Sequence, residues 1–164
     1  MRSFAALAVL LGCAAPGCTA RPEPKGCTLL PCYDRLAVVF EKTNAWPAGS
    51  YAFTFDADGS RATCTATLPL PACGAGPAVV CDPEGVVSLG TSDCAMTPGL
   101  QSFDEAWFVA PPAPQRVGVT VTRDGQRFFE STLVPAYKKD QPNGEGCAPV
   151  CREGREVWKV PDSR

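Results

Sequence analysis

Cysteine constrains this chain more than any other residue, and histidine is missing altogether. The 164 residues include ten cysteines and no histidine. Two of the cysteines lie close to an apolar N-terminal stretch, and the other eight are spread over the remainder of the chain. Chains with many cysteines usually fold in oxidising compartments, where disulfides persist. We therefore expect a folded part that disulfide bonds hold together.

The eight cysteines that remain after the two N-terminal ones are set aside form an even set, as a disulfide framework requires. They are Cys27, Cys32, Cys64, Cys73, Cys81, Cys94, Cys147 and Cys151. The first two and the last two are close in sequence, so they either close two local loops or cross-pair and tie the chain ends together. Cross-pairing would stabilise more, because closing a long loop removes more entropy from the unfolded chain. The middle four are expected to pin a central loop to the hairpins beside it.

The N-terminus resembles a targeting segment. Residues 4–11 form an unbroken apolar run, which is shorter than the about 20 residues that span a bilayer. It matches the about 7–15 residues of a signal-peptide core. We expect a signal peptide within residues 1–17 that ends at position 12 or 17, a flexible tether over 18–26, and a single β domain over 27–164.

The end of the apolar run, Leu10-Leu11-Gly12-Cys13, resembles the lipobox of bacterial lipoproteins. The resemblance implies that Cys13 receives a diacylglyceryl group and that cleavage occurs just before it. Cys18 is the alternative attachment site, because Gly17 before it is also small. The implied location is the bacterial cell envelope, with a lipid anchor in a membrane that faces the periplasm or the cell surface. Cleavage after Ala20 without lipid would instead give a secreted protein.

Composition limits the partners. About 140 residues after the leader make one domain of ordinary size. Arg2 is the one charged residue of the leader, so its removal leaves 14 basic and 17 acidic residues and a net charge of −3. A mildly acidic chain without a basic cluster is not expected to bind nucleic acid. A protein or a polysaccharide remains a candidate partner, beside the membrane.

The residue pattern predicts an all-β fold with few or no helices. Proline and glycine account for 32 residues and interrupt short β-branched and aromatic runs, as in sandwiches and barrels. The expected strands are 36–40, 51–55, 61–68, 85–89, 105–110, 117–122, 128–134 and an edge strand at 157–160. The Asp58-Gly59 and Asp124-Gly125 pairs are typical of tight hairpin turns. Residues 69–81 are expected to be mostly loop.

Two segments carry further resemblances. Trp46-Pro47-Ala48-Gly49-Ser50-Tyr51 resembles the start of a strand in immunoglobulin-like and fibronectin-like bacterial sandwiches. This implies a disulfide-stapled β-sandwich, immunoglobulin-like or related. Residues 141–147, followed by Cys151, resemble the tail of uncharacterised envelope lipoproteins of high-GC predatory soil bacteria. That resemblance implies no activity.

The sequence offers little for catalysis. Without histidine, neither a Ser–His–acid nor a Cys–His site can form. Asp104 and Glu105 are neighbours, so on a strand they point to opposite faces and do not make a facing pair of acids. The two close cysteine pairs have three and four residues between their members, within the range of zinc-binding pairs, but histidine is absent and the setting is oxidising, so we expect no metal, no cofactor and no enzyme activity. The run 56–60, Asp-Ala-Asp-Gly-Ser, resembles the start of a calcium loop, but its later glutamate is missing, which favours a hairpin turn.

The sequence therefore predicts a non-catalytic envelope lipoprotein with a binding or structural role. One alternative is a carbohydrate-binding or adhesion module, in which Trp46, Trp107 and Trp158 form a sugar-stacking platform, although aromatic rings pack in cores more often. Another is a small hydrolase inhibitor that uses residues 69–97 as its contact surface. Exposure of the tryptophans discriminates between a stacking platform and core packing.

Overall fold

The computed structural model describes residues 26–108 and 112–162, which form a sandwich of two five-stranded β-sheets. The strands are β1 Arg35–Glu41, β2 Gly49–Ala57, β3 Ser60–Leu68, β4 Val79–Asp82, β5 Val87–Thr91, β6 Phe103–Phe108, β7 Val117–Arg123, β8 Gln126–Leu133, β9 Tyr137–Asp140 and β10 Cys151–Lys159. A single 3-10 turn, Pro98–Leu100, precedes β6 in the described part. The prediction of an all-β, disulfide-stapled sandwich is confirmed. The predicted signal peptide, most of the predicted tether and both candidate lipid sites lie outside the described residues.

The strand order fixes where the chain ends lie. The first sheet has the order β5-β6-β1-β10-β9, and the second has the order β4-β3-β2-β7-β8. Every neighbouring pair is antiparallel except β1 and β10, which are parallel and pair from Arg35 opposite Glu153 to Glu41 opposite Lys159. Both strands therefore start at the same end of the sandwich, formed by residues 26–34 and 141–150, which we call the tether pole. The last described residue, Asp162, binds Lys42 and Asn44 at the opposite end, the far pole.

The core between the sheets is largely aromatic. Tyr51, Phe53 and Phe55 alternate along β2 with outward-facing residues and are at most 2% exposed, as the period-2 pattern of a strand requires. Phe103 from the other sheet packs against Phe53 with ring centroids 4.7 Å apart and against Trp46 with centroids 5.0 Å apart. These edge-on contacts join the two layers, because aromatic pairs prefer such geometry.

The two predicted hairpins are confirmed. β2 pairs with β3 around Asp58-Gly59, and β7 pairs with β8 around Asp124-Gly125. In both turns the aspartate and the glycine have positive φ, at 50° and 87° in the first and 53° and 78° in the second. Two consecutive positive φ angles suit the two-residue turns that match the twist of paired strands. β2 and β7 then pair with each other, so the hairpins form the centre of the second sheet.

The structure differs from the predicted strands in three places. The last strand begins at Cys151 instead of at 157; it lies between β1 and β9, with residues 151–154 paired with β9 and residues 155–159 paired with β1 alone. Its charged and exposed residues hide the alternation that marks a strand, because only Gly154 and Trp158 are buried inside it after Cys151. Residues 79–81, at the end of the segment predicted to be mostly loop, form β4 together with Asp82 and pair with β3. The four-residue strand β9 was missed, since three of its residues are charged and exposed.

Candidate functional site

Four disulfides join the eight cysteines from Cys27 onward. At the tether pole, Cys27 is bonded to Cys147 and Cys32 to Cys151, across 120 and 119 residues of chain. The chain ends are therefore cross-paired, as the loop-entropy argument favours. The two bonds hold the segment before β1 against the segment before β10. We call this pair of bonds the terminal bracket.

The other two disulfides lie around the central loop. Cys64 on β3 is bonded to its register partner Cys81 on β4, so this bond pins an edge strand to its neighbour. Cys73 is bonded to Cys94, across 21 residues. Together they hold residues 69–97 at the edge of both sheets, as expected for a loop pinned to a hairpin.

A buried glutamine, missed from the sequence, completes the anchoring of this loop. Gln101 is 3% exposed, and its side-chain carbonyl accepts a hydrogen bond of 2.7 Å from the N–H of Leu70. Its amide N–H₂ donates to the carbonyls of Cys94 and Met96, at 3.4 and 3.2 Å. The loop is thus tied by a disulfide and a side-chain amide. Its use as an inhibitory contact surface stays a prediction.

The outer face of the second sheet is lined with hydroxyl groups. Thr54 on β2 alternates with buried phenylalanines, so its side chain faces away from the core. It lies opposite Thr63 on β3 and Thr120 on β7, which places three threonines side by side in one row across the sheet. We call this surface the threonine face. Its members are Thr54, Thr63, Thr65, Thr67, Thr120, Thr122 and Thr132.

The threonine face is shallow and has two halves. A depression of about 540 Å³ lies around Thr54, Thr120 and Thr132, with Arg61 and Glu130 at its sides. A second depression, of about 530 Å³, lies around Thr65, Thr67 and Thr122 and has no charged residue in its lining. Neighbouring strands lie about 4.8 Å apart, and residues on the same face of one strand are about 7 Å apart; the hydroxyl oxygens of Thr54 and Thr63 are 3.4 Å apart. The face therefore presents a regular array of groups that both donate and accept hydrogen bonds.

The acidic run 56–60 forms a hairpin turn whose carboxylates bind protein groups. Asp56 accepts from the N–H of Gly59 at 2.9 Å and from Nε of Arg61 at 3.1 Å. The hydrogen bond from Gly59 is the main reason that the pKa of Asp56 is lowered. Asp58 accepts from two backbone N–H groups before β7. Since both carboxylates are already engaged, the geometry supports the hairpin interpretation over a calcium loop.

The neighbouring acids of β6 serve separate contacts. Asp104 accepts a hydrogen bond of 2.6 Å from the hydroxyl of Ser102. Glu105 lies 3.4 Å from Arg155 on β10. The two carboxylates thus belong to different surroundings, and the structure does not bring them together as a pair of acids for hydrolysis.

Within the described residues, one group of side chains has the composition of a metal site: Cys73, Asp93 and Cys94. The two sulfur atoms are bonded to each other, so neither is a thiolate, which is the form that binds metals. The carboxylate of Asp93 accepts a hydrogen bond from the N–H of Ala95 at 2.8 Å. The donor set does not fit a metal ion.

The three tryptophans do not form the predicted stacking platform. Trp46 is 6% exposed and Trp158 is 1% exposed, and both lie in the core cluster. Trp107 is half-buried on β6. A platform needs coplanar rings on one exposed surface, and two of these rings pack between the sheets. The platform hypothesis was therefore wrong, for the reason that aromatic side chains gain most by burial.

The described residues contain no helix that is both long and apolar enough to cross a membrane. Two five-stranded sheets, four disulfides and a flat hydroxyl-bearing face are thus what the structure contributes to a functional assignment. Comparison of the chain with protein-family models, with curated proteins and with solved structures found no match in any of the three.

Proposed function

We propose that this protein is a lipid-anchored bacterial envelope protein with a non-catalytic binding or structural role, facing the periplasm or the cell surface. The observation that carries the proposal is the pairing of all eight cysteines from Cys27 onward among themselves. That pairing leaves the two N-terminal cysteines for other chemistry, and Cys13 stands where the lipobox resemblance places a lipidated thiol. Four disulfides also support folding outside the cytosol.

Intact-mass analysis of protein purified from its native host, with and without reduction, tests the proposal. We expect a chain that begins at Cys13, with Cys18 as the alternative, carries the mass of acyl chains, and gains eight hydrogens on reduction of its four disulfides. Cys13→Ser and Cys18→Ser, analysed in parallel, identify the attachment site because only one of them removes the acyl mass. A chain that retains Met1 and eight free thiols would contradict export and anchoring together.

Binding of a neutral polysaccharide is a second candidate function, and the threonine face is the observation that favours it. Sugar hydroxyls pair with groups that both donate and accept hydrogen bonds, which is what an array of threonines offers. The uncharged half around Thr65, Thr67 and Thr122 would contact the polymer. This candidate does not depend on the tryptophans.

Pull-down with a panel of insoluble polysaccharides tests this second candidate. We expect at least one polymer to retain the wild type and to lose the Thr65→Lys/Thr122→Lys double variant, because two ammonium groups would stand on the contact surface. Thr43→Lys/Thr97→Lys is the matched control, since it adds the same two charges at threonines that are exposed outside the threonine face. Equal retention of all three proteins, or of none, would exclude the face as a polysaccharide site.

A further inference from the structure

We infer that the tether pole lies directly on the lipid surface to which the chain is anchored, so that the domain rests on the membrane with its far pole outward. The inference deepens the proposed function and depends on it. It concerns a contact of the folded domain itself, in addition to the lipid anchor.

The tether pole exposes large apolar side chains. Leu29 is 95% exposed, Tyr33 is 75% exposed, and Leu30 and Val150 are 54% and 53% exposed. Gly144, Gly146, Ala148 and Pro149 beside them are exposed and uncharged, and Glu145 between the two glycines is exposed and charged. Single exposed apolar residues are ordinary, but several at one end of a small domain mark a contact surface.

These side chains are held in place by the fold. Leu29 and Leu30 lie between Cys27 and Cys32, which are the N-terminal cysteines of the two bonds in the terminal bracket. The side-chain amide of Asn143 accepts from the N–H of Leu30 and donates to its carbonyl, at 2.9 Å each. The same Asn143 nitrogen donates to the carbonyl of Ala148 at 2.8 Å. The two disulfides and the hydrogen bonds of Asn143 therefore hold the exposed apolar residues of both segments on the same surface.

Four charged residues at the border of this surface form two pairs. Asp34 accepts from the backbone N–H of Arg152 at 2.8 Å and lies 3.5 Å from its guanidinium group. Arg35 and Glu153 form an ion pair of 2.6 Å. Paired charges cost less to bring near an apolar phase than isolated ones. The border therefore favours contact through apolar groups over attraction by charge alone.

The position of the anchor indicates that the lipid surface is what covers the tether pole. Cys13 lies 14 positions before Cys27, and the alternative site Cys18 lies nine positions before it, so the extended tether reaches about 50 Å or about 30 Å. A flexible tether of either length keeps the domain close to the membrane, at an effective local concentration on the order of millimolar. The tether joins the domain at the apolar pole, because the chain enters at Cys27. Weak partition of a few side chains is then enough to keep this pole on the bilayer.

The residue types also suit an interface. Tyrosine is enriched where a membrane meets water, because its ring is apolar and its hydroxyl is polar. Leucine side chains enter the boundary between headgroups and acyl chains. Leu100, also exposed at 64%, lies with Asn44 at the far pole and would face away from the membrane.

Fluorescence quenching by brominated lipid tests the orientation. The full acylated protein is reconstituted in vesicles of phosphatidylethanolamine and phosphatidylglycerol, as Leu29→Trp and as its matched control Leu100→Trp. Both variants keep the three native tryptophans, whose signal is subtracted with the wild type. We expect bromine on the acyl chains to quench the added tryptophan of Leu29→Trp at least about twofold more, because interfacial side chains lie about 5–10 Å deep.

The outcomes separate the inference from the proposed function. Equal quenching of the two variants in protein whose mass includes acyl chains would overturn the inference alone. An absence of acyl mass would overturn the proposed function and the inference with it. A blue-shifted Leu29→Trp emission that bromine does not quench would mean that protein, such as a second copy of the chain, covers the pole, which also overturns the inference.

Discussion

Asp58 and Asp124 occupy the same position in the two Asp-Gly turns, and each carboxylate binds the chain that leads into the other hairpin. Asp58 accepts from the N–H groups of Gln115 and Arg116, at 2.8 Å each, just before β7. Asp124 accepts from the N–H of Ser50 at 2.9 Å, at the start of β2. The two hairpins of the second sheet are thus joined reciprocally at both poles.

Replacing Asp58 tests this connection. We expect Asp58→Ala to lower the free energy of unfolding by about 2–3 kcal/mol, since it removes two hydrogen bonds to a charged acceptor. Asp58→Asn should lose roughly half as much, because asparagine tolerates positive φ and keeps one acceptor oxygen. Urea unfolding measures both, with the exposed Asp140→Ala as control. A loss no larger than that of the control would mean that the reciprocal contacts contribute nothing.

The terminal bracket should show strongly non-additive stability. Either bond alone closes a loop of about 120 residues, which is worth roughly 5 kcal/mol on the loop-entropy model. With the other bond present, the same bond closes only a small ring formed by 27–32 and 147–151, worth about 3 kcal/mol. Removal of the first bond should therefore lower the free energy of unfolding by less than removal of the second bond afterwards.

Serine variants provide the measurement for this prediction. Cys27→Ser/Cys147→Ser and Cys32→Ser/Cys151→Ser are compared with the fourfold variant by urea unfolding under non-reducing conditions. We expect the fourfold loss to exceed the sum of the two double-variant losses by about 2 kcal/mol. If the fourfold loss equals the sum of the two double-variant losses, the contribution of each bond does not depend on the other bond. That result would contradict the loop-length argument.

We expect folding stability to depend more on Asn143 than on the other polar side chains of the tether pole. Asn143 is 8% exposed, and its amide is bonded to Leu30 and Ala148. We expect Asn143→Ala to cost about 2–3 kcal/mol, because partly buried backbone groups lose their partners. Asn44→Ala, at an exposed position, is the control. If both variants unfold at the wild-type urea midpoint, the disulfides alone hold the segment.

Asp34 should make stability depend on acid pH. The N–H of Arg152 is the main cause that lowers the pKa of Asp34, and the N–H of Ala113 and the Arg152 guanidinium add to it. The stability that this carboxylate contributes is present above the pKa of aspartate in the unfolded chain. It is lost as the pH falls through the lower pKa of the folded protein.

Unfolding in urea as a function of pH checks the contribution of Asp34. We expect the midpoint of the wild type to fall below about pH 4, and the midpoint of Asp34→Asn to depend less on pH. The lowered pKa values of Asp56 and Asp162 leave part of the slope in place. Superimposable slopes for the two proteins would exclude a role for Asp34 in acid unfolding.

The fold was predictable where the residue pattern is local. The alternation of large and small residues on β2 and β7, with an Asp-Gly pair after each, predicts both hairpins. Gly49, in the segment compared with other bacterial sandwiches, has a reason that only the structure shows. Its φ is 151°, and a Cβ there would lie 2.8 Å from the Asp124 carboxylate. Glycine is needed at this position so that the two hairpins can approach.

Long-range polar contacts could not be predicted. Gln101 and Asn143 are buried because they bind backbone groups 31 and 113 residues away, and no local pattern marks such partners. β10 escaped full prediction because its charged exposed residues interrupt the alternation. The tryptophan platform was wrong because the sequence gives the number of rings and not their burial. The threonine face follows from strand register, which the sequence leaves open.

The terminal bracket also determines how the domain bears a mechanical load. A pull on the N-terminal chain enters at Cys27 and passes through the disulfides into the start of β1 and of β10 together. Because these strands are parallel neighbours in the middle of their sheet, the force is shared along them and cannot peel away a single terminal strand. A tethered domain built in this way transmits tension through covalent bonds before any strand has to separate.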